Sequence, residues 1–180
     1  RWLSELQGAD KVTQMIDALV KVLNYVAEDT SEFVDVGREV EFIRNYIKIL
    51  NFRYFERFSF IFDIREETMQ YEIPRFILQP LVENAVKHAM PAEGKLTISI
   101  SGTLDGDDVY LHVNDDGIGM KEDALKNIMA PKSETGLGIA VKSINDRLRG
   151  YSSAKAYMDI QSELGKGTSV TLFLPDCANL

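Results

Sequence analysis

Hydrophobic residues change their period at Arg57, and the change divides the chain into two kinds of structure. Before it, Val12, Ile16, Leu19, Leu23 and Val26 recur at alternating spacings of four and three, the seam of a coiled coil or helical bundle. Residues 1–7 read as the end of one helix and Gly8-Ala9-Asp10 as a turn, with Asp10 as the N-cap of the next. Glu28-Asp29-Thr30-Ser31 breaks the seam, and it resumes at Val36, Val40, Ile43, Ile47, Leu50 and Tyr54, with Phe42, Tyr46 and Ile49 as a second stripe. The spacing predicts a second helix from about Val36 to Arg57. A helix apolar over so wide an arc needs more than one neighbour, and two arrangements supply it: a bundle completed by a second chain, or a hairpin packed on the following domain.

After Arg57 the period drops to two. Phe58, Phe60, Phe62 and Ile64 alternate as a strand does; so do Leu96, Ile98 and Ile100, then Val109, Leu111 and Val113, with Asp105-Gly106-Asp107-Asp108 as the hairpin between them. Ala156, Met158 and Ile160 form the inward side of another strand, and Gly165-Lys166-Gly167 turns into a last one carrying Val170, Leu172 and Leu174. Helical patterns lie between: Leu81, Val82, Ala85, Val86 and Ala89 make one apolar stripe, a short helix is predicted at about Glu122–Met129, and Gly136-Leu137-Gly138 opens another that runs to about Arg149. Strands joined mostly as antiparallel hairpins, with helices on one side, give an α+β two-layer sandwich preceded by a helical piece. The division falls at residues 1–57 and 58–180.

A net charge of −8 argues against nucleic acid or anionic lipid as a main partner. No apolar run approaches the roughly 18 residues of a membrane span. The single cysteine, Cys177, excludes a disulfide framework, and a reducing, cytoplasmic setting fits.

Two stretches carry chemistry. In the helix with the Leu81 stripe, Asn84, Lys87 and His88 share a flank. At the end of the Val109 strand, Asp115 continues the inward parity and runs straight into Asp116-Gly117-Ile118-Gly119. A carboxylate pointing into a core needs a donor, and the amino group of an adenine would serve. Gly136-x-Gly138 at a helix start is a fair anion site, and equally an ordinary loop when taken alone. Thr168 shares the inward parity of the last strand, a second polar group on an apolar face.

In order, these elements resemble the GHKL (Bergerat) ATP-binding fold of gyrase, Hsp90, MutL and histidine kinases. Asn84 with Lys87 and His88 is similar to its N box, Asp115-Asp116-Gly117-Ile118-Gly119 to its first glycine box, Gly136-Leu137-Gly138-Ile139 to its second, and Gly165-Lys166-Gly167-Thr168 to its terminal Gly-Thr element. The resemblance implies ATP as ligand, with Asp115 accepting from the adenine amino group and Thr168 helping on the same ring. It places Asn84 on Mg²⁺, Lys87 and His88 on the phosphate side, and the two glycine pairs, with Ile118, Leu137 and Ile139 between and beside them, around the nucleotide. Residues 127–135 would be the lid.

ATP-hydrolysing members of that fold carry a Glu one turn before the metal-binding Asn; here Pro80 stands there, and Glu83 is turned about 100° from Asn84 on a helix. Transfer to a protein residue is therefore expected. Phe33-Val34-Asp35-Val36-Gly37-Arg38-Glu39-Val40-Glu41, with Leu78-Gln79-Pro80-Leu81-Val82-Glu83-Asn84-Ala85-Val86-Lys87-His88, resembles sensor histidine kinases of the YesM/LytS type. That implies a homodimer through the helical bundle, a response regulator receiver domain as partner, and a parent anchored in the bacterial inner membrane. It also implies a phosphoacceptor in a Pro-His-Phe element before Arg1-Trp2-Leu3, so that neither His88 nor His112 is the acceptor. The alternatives are a nucleotide-gated dimerisation module without kinase activity and a GHKL serine kinase of the anti-sigma type.

Overall fold

The computed structural model describes residues 2–27, 31–54, 57–91, 93–129, 136–151 and 155–175. Helix α1 (Trp2–Ala27) runs straight through Gly8-Ala9-Asp10, where a turn is expected. A single glycine costs a helix only about 1 kcal/mol, and Ala9 beside it is the best helix former, so the flanking turns prevail. After α1 come strand β1 (Phe33–Asp35) and helix α2 (Val36–Arg53). The second helix stops a turn short of Arg57. Tyr54 leaves it at φ −105° and ψ 19°, and its ring meets Phe58 edge-on at 5.3 Å as the chain swings into the sheet.

Strand β2 (Phe58–Ile64) is followed by a 3-10 turn at Glu66–Gln70, strand β3 (Glu72–Pro74) and helix α3 (Gln79–His88). Pro80 sits in the first turn of α3, where its missing N–H would be unpaired in any case. Strands β4 (Leu96–Asp105) and β5 (Asp108–Asp115) form the expected hairpin, with Gly106 at φ 63° in its turn. Helices α4 (Glu122–Met129) and α5 (Gly136–Tyr151), then strands β6 (Tyr157–Glu163) and β7 (Gly167–Leu174), complete the chain.

The main sheet has five strands in the order β2-β4-β5-β7-β6. All its pairings are antiparallel except β2 with β4, which run parallel because α3 lies in the connection between them. Leu96, Ile98, Ile100, Leu111, Val113, Val170 and Leu172 project from one face into a core shared with Leu81, Val82, Ala85 and Val86 of α3 and Val141, Ile144 and Leu148 of α5. This is the two-layer α+β sandwich that the alternating strands imply. A second, two-stranded sheet of β1 and β3 pins the approach to α2 against the approach to α3.

Helix α2 buries its main stripe: Val36, Val40, Ile43, Ile47 and Leu50 lie in the same cluster as the sandwich core, joined from the second stripe by Phe42, while Tyr46 and Ile49 are half-buried. Helix α1 does not. It meets α2 through Ala18 and Tyr25, while Val12, Ile16, Leu19, Leu23 and Val26, the seam with the four-three spacing, stay exposed.

Candidate functional site

Strand β5 ends on Asp115, paired across the sheet with Thr168 of β7. The Oδ1 atom of Asp115 accepts from the backbone N–H of Gly117 at 3.0 Å and of Thr168 at 3.2 Å. Burial pushes its carboxyl above the usual range, and these bonds, with one from the Thr168 hydroxyl, pull it back without cancelling the rise. A partly desolvated acceptor, fixed from behind by two amides, is an acceptor in want of a donor.

Two glycines make that arrangement possible. Gly167 has φ 94°, and a Cβ there would collide with the carbonyl oxygen of Asp115. At Gly117 a Cβ would collide with the carbonyl of Ala89, so only glycine lets the loop close on the end of α3, where Ile118 N–H donates to Ala89 O at 2.9 Å. Gly119 lies at the same bend, at φ 58°. Ile118 itself is exposed, and its carbonyl accepts from Gly165 N–H at 2.8 Å, so it serves the site through its backbone.

Asp115 opens into a cavity between sheet and helices with a mostly apolar lining: Val113 and Val170 from the sheet, Ala85 from α3 and Ala89 just after it, Ile128 from α4 and Val141 from α5. Asn84 and His88, one turn apart on α3, face it from the side opposite the sheet, together with Thr168 from the strand wall. No hydrogen bond reaches the Asn84 amide among the described residues. Lys87 does not join them. It is exposed, and its ammonium sits 3.2 Å from Glu83 Oε2. Glu83 in turn takes Gln79 Nε2 at 2.9 Å and the Tyr46 hydroxyl of α2 at 3.1 Å. Burial alone would raise its pKa, but the bonds from Gln79, Lys87 and Tyr46 outweigh it and hold the carboxyl below its ordinary value. Glu83 therefore faces the front helices, away from Asn84.

The second glycine pair opens α5, with Gly138 buried. Ile139 is 60% exposed and lines a separate groove with Phe33, Phe76 and Arg147, not the cavity. The Leu137 side chain and residues 130–135 of the expected lid lie outside the described residues, as does Cys177. His112 is half-buried, with Nδ1 3.0 Å from Thr171 Oγ1.

Residues 70–178 match the family described as "Histidine kinase-, DNA gyrase B-, and HSP90-like ATPase". The chain belongs to this ATPase family. Membership implies ATP binding. Residues 1–58 match a second family, "Histidine kinase". Among curated relatives, the sensor histidine kinase YesM of Bacillus subtilis is 30% identical over 179 residues, covering 99% of this chain and 30% of the relative. The sensor protein LytS of Staphylococcus haemolyticus is 34% identical over 146 residues, covering 79% of this chain and 25% of LytS. The chain thus spans about 30% or less of these relatives' length. The histidine kinase domain of a blue-light activated kinase from Erythrobacter litoralis shares the fold with a TM-score of 0.60 at 16% identity, covering 97% of this chain and 81% of that one. The catalytic domain of histidine kinase ThkA does so with 0.54 at 20% identity, covering 81% and 96%. The relatives favour a sensor histidine kinase over the non-catalytic module and the serine kinase.

In this ATPase domain the sequence reading missed one polar member of the site. Ser162 of β6 accepts from Met120 N–H at 2.9 Å, donates to Gly167 O at 3.0 Å and lies 3.0 Å from Thr168 Oγ1. It ties the first glycine loop to β7, whose Thr168 N–H binds Asp115. Its signal was the inward parity it shares with Ala156, Met158 and Ile160, and the register of β6 on β7 then sets it opposite Thr168.

Proposed function

We propose that this chain is the nucleotide-binding part of a sensor histidine kinase that binds MgATP and donates the γ-phosphoryl group to a histidine outside this sequence. From there an aspartate of a response regulator receiver domain would take it. The observation that carries the reading is the placement of Asp115 and Asn84 on opposite walls of one apolar cavity, one on the sheet and one on α3. An adenine fits that chemistry: its faces against Val113, Val170 and Ala85, its amino group donating to Asp115, and Thr168 beside it. The triphosphate would then lie toward the N-terminus of α5, where the helix dipole favours anions. Asn84 would offer one oxygen to Mg²⁺, a hard cation that needs few protein ligands. When bound, the ion neutralises phosphate charge. Lys87 lies outside the cavity lining, and to turn toward phosphate it would have to leave Glu83, a pair worth no more than about 1 kcal/mol.

Hydrolysis by a carboxylate on α3 is not expected, because Pro80 has no base to offer and Glu83 is bound to Gln79, Tyr46 and Lys87. The exposed seam of α1 is the surface through which two copies would pair, and with it the chain would be a homodimer. None of the described helices is long and apolar enough to cross a membrane, and anchoring of the parent in the inner membrane is part of the proposal.

Incubation with γ-labelled ATP tests this. The chain alone should bind ATP and stay unlabelled; a longer version that includes the preceding helix should acquire label that survives alkali and is lost in acid. Stable label on His88 or His112, or no binding of adenine nucleotide in the presence of magnesium, would overturn the proposal.

A further inference from the structure

Away from the cavity, Glu39 of α2 is the one fully buried acidic side chain among the described residues. Its Oε2 accepts from the Tyr25 hydroxyl of α1 at 2.6 Å and from the backbone N–H of Phe76 at 3.0 Å, and its Oε1 accepts from Leu78 N–H at 3.1 Å. All three partners are donors, which is what a carboxylate requires. Leu78 is the N-cap of α3 and has no polar side chain with which to cap it. Glu39 does for α3 what the glutamate of a capping box does for its own helix, binding the N-cap backbone N–H, but from a different element. A negative charge at that end also suits the helix dipole.

The segment it grips is held on every side. Phe76 sits at φ 57°, a left-handed conformation that costs an L residue about 1–2 kcal/mol, so surrounding contacts must impose it. Its ring lies edge-on to Tyr25 at 5.3 Å and to Phe42 at 5.5 Å. The Arg75 guanidinium stacks 4.5 Å over Tyr25, and Arg147 of α5 donates to the Arg75 carbonyl at 2.6 Å. Residues 75–78 are thus where α1, α2 and α5 meet the start of the helix that carries Asn84.

We infer that Glu39 is a positioning residue for phosphate and metal: it fixes where α3 begins and hence where Asn84 stands, without touching nucleotide. The inference rests on the proposed function. It separates the two ends of the site, because Asp115 is held by Gly117 and Thr168 of the sheet region and owes nothing to Glu39. Glu39→Gln keeps the shape of the side chain but turns one acceptor into a donor, so one of the two backbone N–H groups loses its partner.

Calorimetric titration of the chain with a non-hydrolysable ATP analogue, in magnesium and in EDTA, tests it. Glu39→Gln should bind within about two-fold of the parent in EDTA and lose about ten-fold in magnesium, the lower end of the range for outer-shell partners of a metal ligand. Tyr25→Phe is the control for a merely structural role. It removes a bond to the same carboxylate but leaves Phe76 and Leu78 held, so Tm should fall while the magnesium-dependent gain in affinity persists. Should Glu39→Gln fail to fold, Glu39→Asp, which withdraws the charge by one methylene, should give the same split. A Glu39 variant that keeps the full magnesium gain, or loses affinity equally with and without the metal, overturns the inference. Asp115→Asn distinguishes that failure from failure of the nucleotide site itself: if it leaves binding in EDTA untouched, the cavity is not an adenine site and the inference falls with it.

Discussion

Replacing Asp115 by Asn separates what this residue does for the fold from what it does for the ligand. In the fold, both backbone bonds fall on Oδ1, from Gly117 N–H and Thr168 N–H. An Asn side chain can put its carbonyl oxygen there and keep both, and the Thr168 hydroxyl can reverse its role to accept from the new NH₂. Stability at neutral pH should not suffer. Burial raises the folded pKa of this carboxyl above its ordinary value of 3.8, so its contribution to stability is fully present only below that value and is lost as pH rises through the folded pKa. The ionised side chain is therefore a cost at pH 7, and the neutral amide removes it. Binding is the opposite case. A purine amino group that donated to a carboxylate would face an NH₂ in its place, losing a charge-assisted bond and leaving a donor unpaired. Together these come to about 3 kcal/mol, or roughly a hundred-fold in Kd. Thermal melting of the free protein and calorimetry with ATP analogues give the two quantities. The expected pair is a Tm at or above the parent's and an affinity about a hundred-fold weaker. A Tm several degrees lower with proportionately weaker binding would mean that Asp115 is a structural carboxylate and that the cavity reads nucleotide some other way.

Gly167→Ala should destabilise the sheet at the same place by about 1–3 kcal/mol from backbone strain alone, with the clash against the Asp115 carbonyl in addition, and should abolish nucleotide binding; urea unfolding and calorimetry check it. Leu23→Asp, at a position 56% exposed on the α1 seam, should leave the melting of the isolated subunit within about 0.5 kcal/mol of the parent and halve the mass in sedimentation equilibrium, whereas an unchanged dimer would place the interface elsewhere.

The sandwich was legible because its strands alternate cleanly and the inner residues of its central strands, Ile98, Leu111 and Leu172 among them, are buried. The cavity was legible at Asp115, a carboxylate on an otherwise apolar strand face, and at Asn84, whose polar flank with His88 stands beside the apolar stripe of the same helix. Lys87 was not placed by the same logic. It is only one residue from His88, and helix spacing allows it either flank; the choice was made by Glu83, whose own orientation depends on Tyr46, 37 residues earlier in sequence. The β1–β3 pair was invisible because three residues per strand carry no period. Glu39 was hidden for a related reason. On α2 it reads as one more charged residue in a helical first turn, and only the return of residues 75–78 onto it makes it buried.

The α1 seam shows how the four-three rhythm and the fold are to be read together. Two helices with such stripes could have satisfied each other as a hairpin, and α2 does bury its main stripe within the chain. α1 spends Ala18 and Tyr25 on α2 instead, side chains off the seam, so the seam residues remain exposed. A row of five half-exposed aliphatic side chains is a standing cost in water unless something covers it, since covering the exposed half of each gains about 1 kcal/mol. Pairing with a second copy would cover it. It would also fix α1 and, through the bond from Tyr25 to Glu39, load the junction at the start of α3. In that arrangement a change in how two α1 helices cross has a short physical route to the helix bearing Asn84 and none of comparable directness to Asp115. The adenine end of the site would stay as it is while the phosphate end moved.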